Sequence, residues 1–198
     1  EFKKNYIRNT RIAEQSKFPH VTHFLNGFNQ PGDELCVQIA SLEDKDLPAH
    51  PEMSLTALWN SIDAVLSGAG VTQVLVANIA NMDQIGHLGN FELAKNAASH
   101  VDIAIGKIYD ACQLQGWELL VTSDHGNADQ MFDETGAPFN SHSPHPVPLL
   151  VVPSNGQPVS WISKTGTLAN VAPTLMSVLG MKPGQDMVAP LIAQGSRL

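Results

Sequence analysis

The sequence is long enough for one ordinary domain, and its composition excludes several classes of protein. Its 198 residues are 43% hydrophobic and only 15% charged, which is typical of a compact folded chain and not of a disordered one. The net charge of −8 argues against nucleic acid as a partner, because binding to a phosphate backbone needs a basic face. A small phosphorylated ligand would need bound cations to reverse this charge locally.

Neither a secretory signal nor a membrane-spanning segment is predicted. The chain begins Glu-Phe-Lys-Lys-Asn-Tyr, and no apolar run reaches the length needed to cross a bilayer. Cys36 and Cys112 lie inside apolar runs without metal-type spacing, which indicates buried thiols in a reducing compartment. We therefore expect a cytoplasmic protein with no membrane partner.

The first quarter of the chain mixes β-forming residues with a turn and then continues into a predicted long surface loop. The segment 13–28 contains a run of β-forming residues at 20–25 and ends in a turn at Asn26-Gly27. The polar segment 29–51 is punctuated by proline and glycine, which predicts a loop with a short strand near 35–40.

From residue 54 onward, predicted helices alternate with buried strands. Apolar residues at helical spacing predict the helices, and β-branched runs predict the strands. The predicted elements are helix 54–67 (Ser54 as N-cap, Gly68 and Gly70 at its end), strand 71–79, helix 91–115 (ending at Gly116), strands 117–122 and 147–152, and helix 170–180 (Pro173 in its first turn). This alternation indicates an α/β layered domain with a mostly parallel sheet.

Carboxylate and imidazole side chains follow two of these strands. Asp83 and His87 come after strand 71–79, and Asp124 and His125 come directly after strand 117–122. Because the carboxyl ends of parallel strands meet at one rim of a sheet, we expect both pairs at that rim. Such ligands suit borderline divalent cations, namely manganese, zinc and cobalt.

Glycines and a third histidine complete the pattern. Gly86 and Gly126 are expected to let the backbone turn tightly enough for the ligands to converge. His142 precedes its strand, so strand 147–152 must run antiparallel to the other two if His142 is to reach the same rim. His145 lies between prolines and is expected to be a loop residue rather than a ligand.

Each pair taken alone has a simpler structural explanation. An Asp-x-x-x-His spacing is more often a surface pair on a helix, and Asp-His-Gly is more often a turn. Their conjunction after two consecutive buried strands, with a further histidine before the next strand, favours a metal site.

At this point the sequence resembles the cofactor-independent phosphoglycerate mutases over nearly its whole length, and more distantly the alkaline phosphatase superfamily. The segments that carry the resemblance, in the order of the family, are Arg11-Ile-Ala-Glu14, Lys17-Phe-Pro-His20-Val-Thr22, Asn26-Gly27, Pro51-Glu-Met-Ser54, Asn81-x-Asp83-x-x-Gly86-His87, Thr122-Ser-Asp124-His125-Gly126-Asn127-Ala128, His142 with Pro146-Val-Pro148, and Ala172-Pro173-Thr174.

The resemblance implies a set of roles for individual residues. Asp83, His87 and His142 would bind one metal ion, Asp124 and His125 would help bind a second, and Lys17 would lie near the transferred phosphoryl group. The two divalent ions would be manganese, with zinc, cobalt and magnesium as alternatives. The implied activity is the glycolytic interconversion of 3-phosphoglycerate and 2-phosphoglycerate, by way of a phosphoserine.

The sequence also departs from the family. Ser16 stands where the family usually has an acidic residue, and His145 stands in place of an asparagine. The nucleophilic serine, a further metal-binding aspartate and the inserted transferase domain belong to segments that this chain lacks. Residues 1–198 are therefore expected to be the C-terminal segment of a phosphatase-like domain with an incomplete sheet, and its partner would be the N-terminal part of its own enzyme.

Two other functions stay open on the residues alone. One is a metal-dependent phosphatase or sulfatase of the same superfamily, against which the segment 11–27 favours the mutase. The other is a non-catalytic module that binds a partner through this fold.

Overall fold

The computed structural model describes residues 2–29, 32–68 and 71–193, and the chain divides into two compact units. The first unit contains Glu1–Ala111 and His125–His145, and the second contains Cys112–Asp124 and Pro146–Leu198. Gly70, expected at the end of the first helix, lies outside the described residues.

A three-stranded parallel sheet organises the first unit. Its strands β1 (Asn9–Glu14), β2 (Leu35–Ile39) and β3 (Val74–Asn78) lie in the order β2-β1-β3, and helix α1 (Leu55–Leu66) connects β2 to β3. The parallel sheet, the short strand near 35–40 and the helix at 54–67 confirm the predicted α/β class. Strand 71–79 is confirmed in its central part, which is five residues long.

The central strand β1 was not predicted, because its buried positions are largely polar. Thr10, Arg11 and Glu14 are each at most 5% exposed. Arg11 donates to the Val21 carbonyl at 2.8 Å and lies 3.9 Å from the Glu34 carboxylate, so its charge is paired inside the unit. Buried polar groups with partners of this kind hide a strand from any pattern based on hydrophobicity.

The run of β-forming residues at 20–25 is helical in the structure. His20–Phe24 forms a single π-helical turn, followed by the predicted turn, in which Gly27 has φ +62°. Thr22 donates its hydroxyl back to the Phe18 carbonyl at 2.8 Å, and Val21 and Thr22 are buried. The carbonyl of Val21 that accepts from Arg11 fixes the turn beside β1, so tertiary contacts override the strand preference of these residues.

Two further helices follow β3, and the last four residues of the second helix belong to the second unit. Helix α2 (Asn81–Gly86) follows β3, and helix α3 (Phe91–Gln115) ends before Gly116, which has φ +71° as the predicted stop. Ile85 of α2 and Ala97 of α3 pack in one buried apolar cluster with Leu47, Met53 and Ala80. Ser54 precedes α1 as expected, but its hydroxyl donates to the Ala40 carbonyl at 2.7 Å instead of capping the helix.

The described part of the second unit contains a two-stranded antiparallel ribbon, followed along the chain by a helix. Strand β4 (Leu119–Thr122) pairs with β5 (Leu149–Val152), and helix α4 (Val171–Val178) carries Pro173 in its first turn. The antiparallel direction predicted for 147–152 against 117–122 is confirmed. Its direction relative to β3 stays a prediction, since β3 belongs to the first unit. Within the described residues, no helix is both long and apolar enough to cross a membrane.

Candidate metal centre

Helix α2 presents Asp83 and His87 on one face, just after the carboxyl end of β3. The two residues are four apart, which places their side chains one turn apart along the helix. The opposite side of α2 is anchored by Ile85 in the apolar cluster and by Asn81, which is fully buried and donates to the Pro51 carbonyl at 2.8 Å. The ligand face of this short helix is therefore held by its buried face.

Three side chains meet at this face of α2. Asp83 Oδ1 lies 3.1 Å from His87 Nε2 and 3.2 Å from His142 Nε2, and the two imidazole nitrogens are 3.2 Å apart. The side chains of His87 and His142 are 41% and 49% exposed, whereas that of Asp83 is 15% exposed. The carboxylate of the group is therefore largely buried, whereas its two imidazoles face solvent. This exposure leaves room for water or a substrate oxygen.

The hydrogen bonding of His87 favours a cation between these atoms. His87 Nδ1 lies 2.8 Å from the carbonyl oxygen of Asn140, which can only accept, so Nδ1 carries the proton. In the neutral imidazole, Nε2 then directs a lone pair at the Asp83 carboxylate, and two acceptors at this distance repel each other. A shared divalent cation removes the repulsion and uses the tautomer that the Asn140 carbonyl selects.

The other interactions of Asp83 keep its carboxylate ionised. Lys17 Nζ forms an ion pair with Asp83 Oδ2, and Asn127 Nδ2 donates to Asp83 Oδ1 at 3.1 Å. Burial raises the pKa of Asp83, but the hydrogen bond and charge of Lys17, helped by the Asn127 amide, outweigh it and lower the pKa below its usual value. The carboxylate is therefore in the form that binds metal.

His125 lies beside this group in the first unit. Its Nε2 is 3.8 Å from Asp83 Oδ1, and its ring stacks on that of His142 with centroids 3.5 Å apart. Asp124 precedes it directly but belongs to the second unit, so its role as a ligand of a second metal stays a prediction. His145 lies outside the three-residue group, and its Nδ1 donates to Asp129 Oδ2 at 2.6 Å.

The two glycines act by making room, not by turning the chain as the sequence predicted. Neither Gly86 nor Gly126 has a positive φ, and Gly86 lies within α2. A Cβ atom on Gly86 would overlap the amide of Asn127, and one on Gly126 would overlap the hydroxyl of Ser143. These glycines therefore allow the segments that carry the ligands to pack in direct contact.

The spacing of the three ligand atoms fits a divalent ion. An ion with bonds of about 2.1 Å needs ligand atoms about 3.4 Å apart in a tetrahedral site and about 3.0 Å apart in an octahedral one. The observed separations of 3.1–3.2 Å lie between these values. The donor set of two imidazoles and one carboxylate suits manganese, zinc and cobalt alike.

Comparison with known proteins shows the family to which the chain belongs. The family model of the metalloenzyme superfamily matches residues 2–183. The chain belongs to that superfamily. The fold of this chain also matches a crystal structure of Leishmania mexicana phosphoglycerate mutase at low cobalt concentration, with a TM-score of 0.89 and 26% sequence identity. The match covers 98% of this chain and 38% of the Leishmania mexicana chain.

Curated relatives of this metalloenzyme chain are 2,3-bisphosphoglycerate-independent phosphoglycerate mutases. The protein from Streptomyces coelicolor is 37% identical over 97% of this chain and 39% of its own length, and that from Hydrogenovibrio crunogenus is 38% identical over 93% and 35%. The predicted resemblance to this mutase family is confirmed. The chain spans between 35% and 39% of the length of these two relatives.

The sequence did not predict roles for two residues of the candidate metal centre, Asn127 and Asn140. Asn127 was part of a quoted motif but received no role, although its amide orients Asp83 and its side chain is 6% exposed. Its position two residues after His125 was the available signal. The contribution of Asn140 comes from its backbone carbonyl, and no sequence pattern identifies such a group.

Proposed function

We propose that this chain is the C-terminal, metal-binding part of an enzyme that interconverts 3-phosphoglycerate and 2-phosphoglycerate in glycolysis. The observation that carries the proposal is the convergence of Asp83, His87 and His142, with Lys17 on the second carboxylate oxygen. Named relatives over more than nine tenths of the chain support this substrate class. The cytoplasm is the proposed location.

In this proposal the carboxylates and imidazoles would bind metal ions, and the lysine would interact with phosphoryl oxygens. Asp83, His87 and His142 would hold one divalent ion, Asp124 and His125 would contribute to a second, and manganese is the proposed metal. When bound, such ions neutralise phosphoryl charge and polarise the phosphorus–oxygen bond. The ammonium of Lys17 is a flexible point charge beside this centre, able to follow a phosphoryl dianion as it moves.

The rest of the reaction needs groups outside this chain. Transfer between two hydroxyls of a glycerate requires an acceptor that holds the phosphoryl group while the glycerate reorients, and the resemblance assigns that role to a serine elsewhere in the enzyme. Residues 1–198 are therefore proposed to act together with the remaining part of a longer enzyme.

A chimeric enzyme tests the proposal directly. The segment of the Streptomyces coelicolor mutase that aligns with this chain is replaced by this chain, and formation of 2-phosphoglycerate is followed in a coupled assay with manganese. We expect turnover by the chimera, and loss of at least about a hundredfold in the His142→Ala chimera because a metal ligand is removed. A folded chimera without turnover would contradict the proposal. A matched His50→Ala chimera should keep the turnover, because His50 is exposed and contacts Glu52 instead.

A further inference from the structure

Asp129 joins two segments that carry imidazoles of the candidate metal centre. Its Oδ2 accepts from Ser143 Oγ at 2.7 Å and from His145 Nδ1 at 2.6 Å, residues that lie 14 and 16 positions further along the chain. The backbone supports the same contact, since Ser143 N donates to the Gly126 carbonyl at 2.9 Å. Three hydrogen bonds therefore hold residues 143–145 against residues 126–129.

Ser143 and Gly126 are closely packed at this junction, whereas the side chains of Asp129 and His145 are 41% and 54% exposed. Ser143 is 6% exposed, and a Cβ atom on Gly126 would overlap its hydroxyl and lie 2.7 Å from Asp129 Oδ1. Asp133, the next aspartate in the chain, shows the ordinary alternative. In the described structure its carboxylate accepts within its own turn, from Thr135 N at 2.8 Å, Thr135 Oγ1 at 2.6 Å and Ala137 N at 3.0 Å. Asp129 instead ties together segments that are distant in sequence.

The junction lies immediately beside the metal-site imidazoles. Ser143 follows His142 directly, and Gly126 follows His125 directly, so the bridge between them sets the relation of the two rings. Those rings stack at 3.5 Å, and His142 Nε2 lies 3.2 Å from Asp83 Oδ1. The side chain of His142 is 49% exposed, and in the described structure its ring makes hydrogen-bond contacts with Asp83 and His87, which belong to the candidate metal centre itself.

We propose that Asp129 is a positioning residue for the metal centre, whose carboxylate clamps residues 143–145 and thereby holds the imidazole of His142 at the metal. This inference rests on the proposed metal site. Burial raises the pKa of Asp129, but the bonds from Ser143 and His145 outweigh it and lower the pKa, so the clamp is charged at neutral pH. Loss of an outer partner of this kind lowers metal affinity by about 10- to 100-fold in other metal sites.

Cobalt titration of the purified chain tests the clamp, because the visible bands of Co²⁺ report ligand geometry separately from affinity. Asp129→Ala is compared with the parent, with Asp129→Glu as the conservative rescue and with Asp133→Ala as the matched control. We expect Asp129→Ala to weaken Co²⁺ binding about tenfold or more and to change the bands. Asp129→Glu should stay within about threefold of the parent, and Asp133→Ala should bind as the parent does.

The outcomes distinguish a failure of the Asp129 proposal from a failure of the proposed metal site. A folded Asp129→Ala chain that binds within about threefold of the parent, with the same spectrum, would overturn the inference and leave the metal site standing. A parent that binds no Co²⁺ would overturn the metal site itself. If Asp129→Ala does not fold, as judged by circular dichroism, the Ser143→Ala, His145→Ala double variant removes both donors. Parent-like cobalt binding by that variant would overturn the inference equally.

Discussion

Glu14 is a buried carboxylate of the first unit with incomplete hydrogen bonding. It is 1% exposed at the end of β1, where its Oε1 accepts from Ser54 N at 3.1 Å and its Oε2 has no hydrogen-bond partner. Burial raises the pKa of the Glu14 carboxyl, and the Ser54 backbone N–H and the Ser41 hydroxyl only partly oppose this effect. The folded state therefore binds this proton more tightly than the unfolded state does.

The raised pKa of Glu14 predicts how stability depends on pH. As pH rises from the ordinary pKa of glutamate through the raised one, the parent loses stability that a Glu14→Gln variant cannot lose. We expect the free energy of unfolding of Glu14→Gln, relative to the parent, to increase between about pH 4 and about pH 8 in urea titrations. Glu52→Gln is the control with the opposite sign, because the backbone N–H of Glu52 and the neighbouring His50 lower the pKa of Glu52. A relative stability of Glu14→Gln that is flat with pH would contradict this account.

Gly86 predicts a second effect of a single residue. A Cβ atom there would overlap Asn127 Oδ1 and lie 2.8 Å from Asn127 Cγ, so Gly86→Ala must displace the amide that orients Asp83. We expect a loss of about 1–3 kcal/mol in the free energy of unfolding, together with weaker metal binding. Gly106→Ala is the matched control, since Gly106 is also helical but has nothing within 4 Å of its Cβ position. Equal stability of the two variants would show that the packing at Gly86 is not tight.

At the scale of elements, helix α3 offers two glycines with opposite predicted effects. Gly106 lies in the middle of this helix and is exposed to solvent, so alanine there should raise the free energy of unfolding by about 0.5–1 kcal/mol. Gly116 follows the helix with φ +71°, a conformation that costs an alanine about 1 kcal/mol. Thermal unfolding should therefore shift upward for Gly106→Ala and downward for Gly116→Ala. An upward shift for Gly116→Ala would contradict the assignment of Gly116 as the helix stop.

The elements that were predicted correctly are those in which local and tertiary preferences agree. Helix α1 buries a regular apolar stripe, and helix α3 runs from Phe91 to Gln115 and stops at a glycine, so periodicity and end signals identify both. β1 was missed because its buried Arg11 and Glu14 find partners only in the folded unit. The helical turn at His20–Phe24 was not predicted either, because its residues have β-forming preferences that tertiary contacts override.

The candidate site was predictable to a similar extent. Its ionisable residues stand out in sequence because carboxylate and imidazole pairs follow buried strands, and three of them do converge in the first unit. The groups that orient these ligands cannot be recognised in the sequence. The Asn140 carbonyl, the Asn127 amide and the Asp129 carboxylate act through distances that only the folded backbone sets.

At the scale of the whole molecule, we expect the chain by itself not to interconvert phosphoglycerates. The reaction needs an acceptor for the phosphoryl group and groups that position the glycerate, and correct positioning alone can supply about 7–11 kcal/mol of a barrier. Ser123 and Ser141 are the serines nearest to the ligand motifs in sequence, and neither matches the nucleophile of the mutase family. A weak metal-dependent hydrolysis of an activated phosphate ester is compatible with this view.

A coupled assay with 3-phosphoglycerate, manganese and purified chain tests the expected inactivity. Turnover to 2-phosphoglycerate that follows the chain through purification and disappears in Asp124→Ala would contradict it. Such a result would mean that these residues hold a complete mutase site.

The central claim is that Asp83, His87 and His142 form a divalent metal site within this chain, and equilibrium dialysis against Mn²⁺ near neutral pH tests it most directly. We predict one tighter and one weak site, displacement of manganese by zinc because zinc forms stronger complexes, and loss of the tighter site in His142→Ala. His50→Ala should bind as the parent does. A parent chain that retains neither manganese nor zinc, or a His142→Ala chain that binds as well as the parent, would contradict the claim.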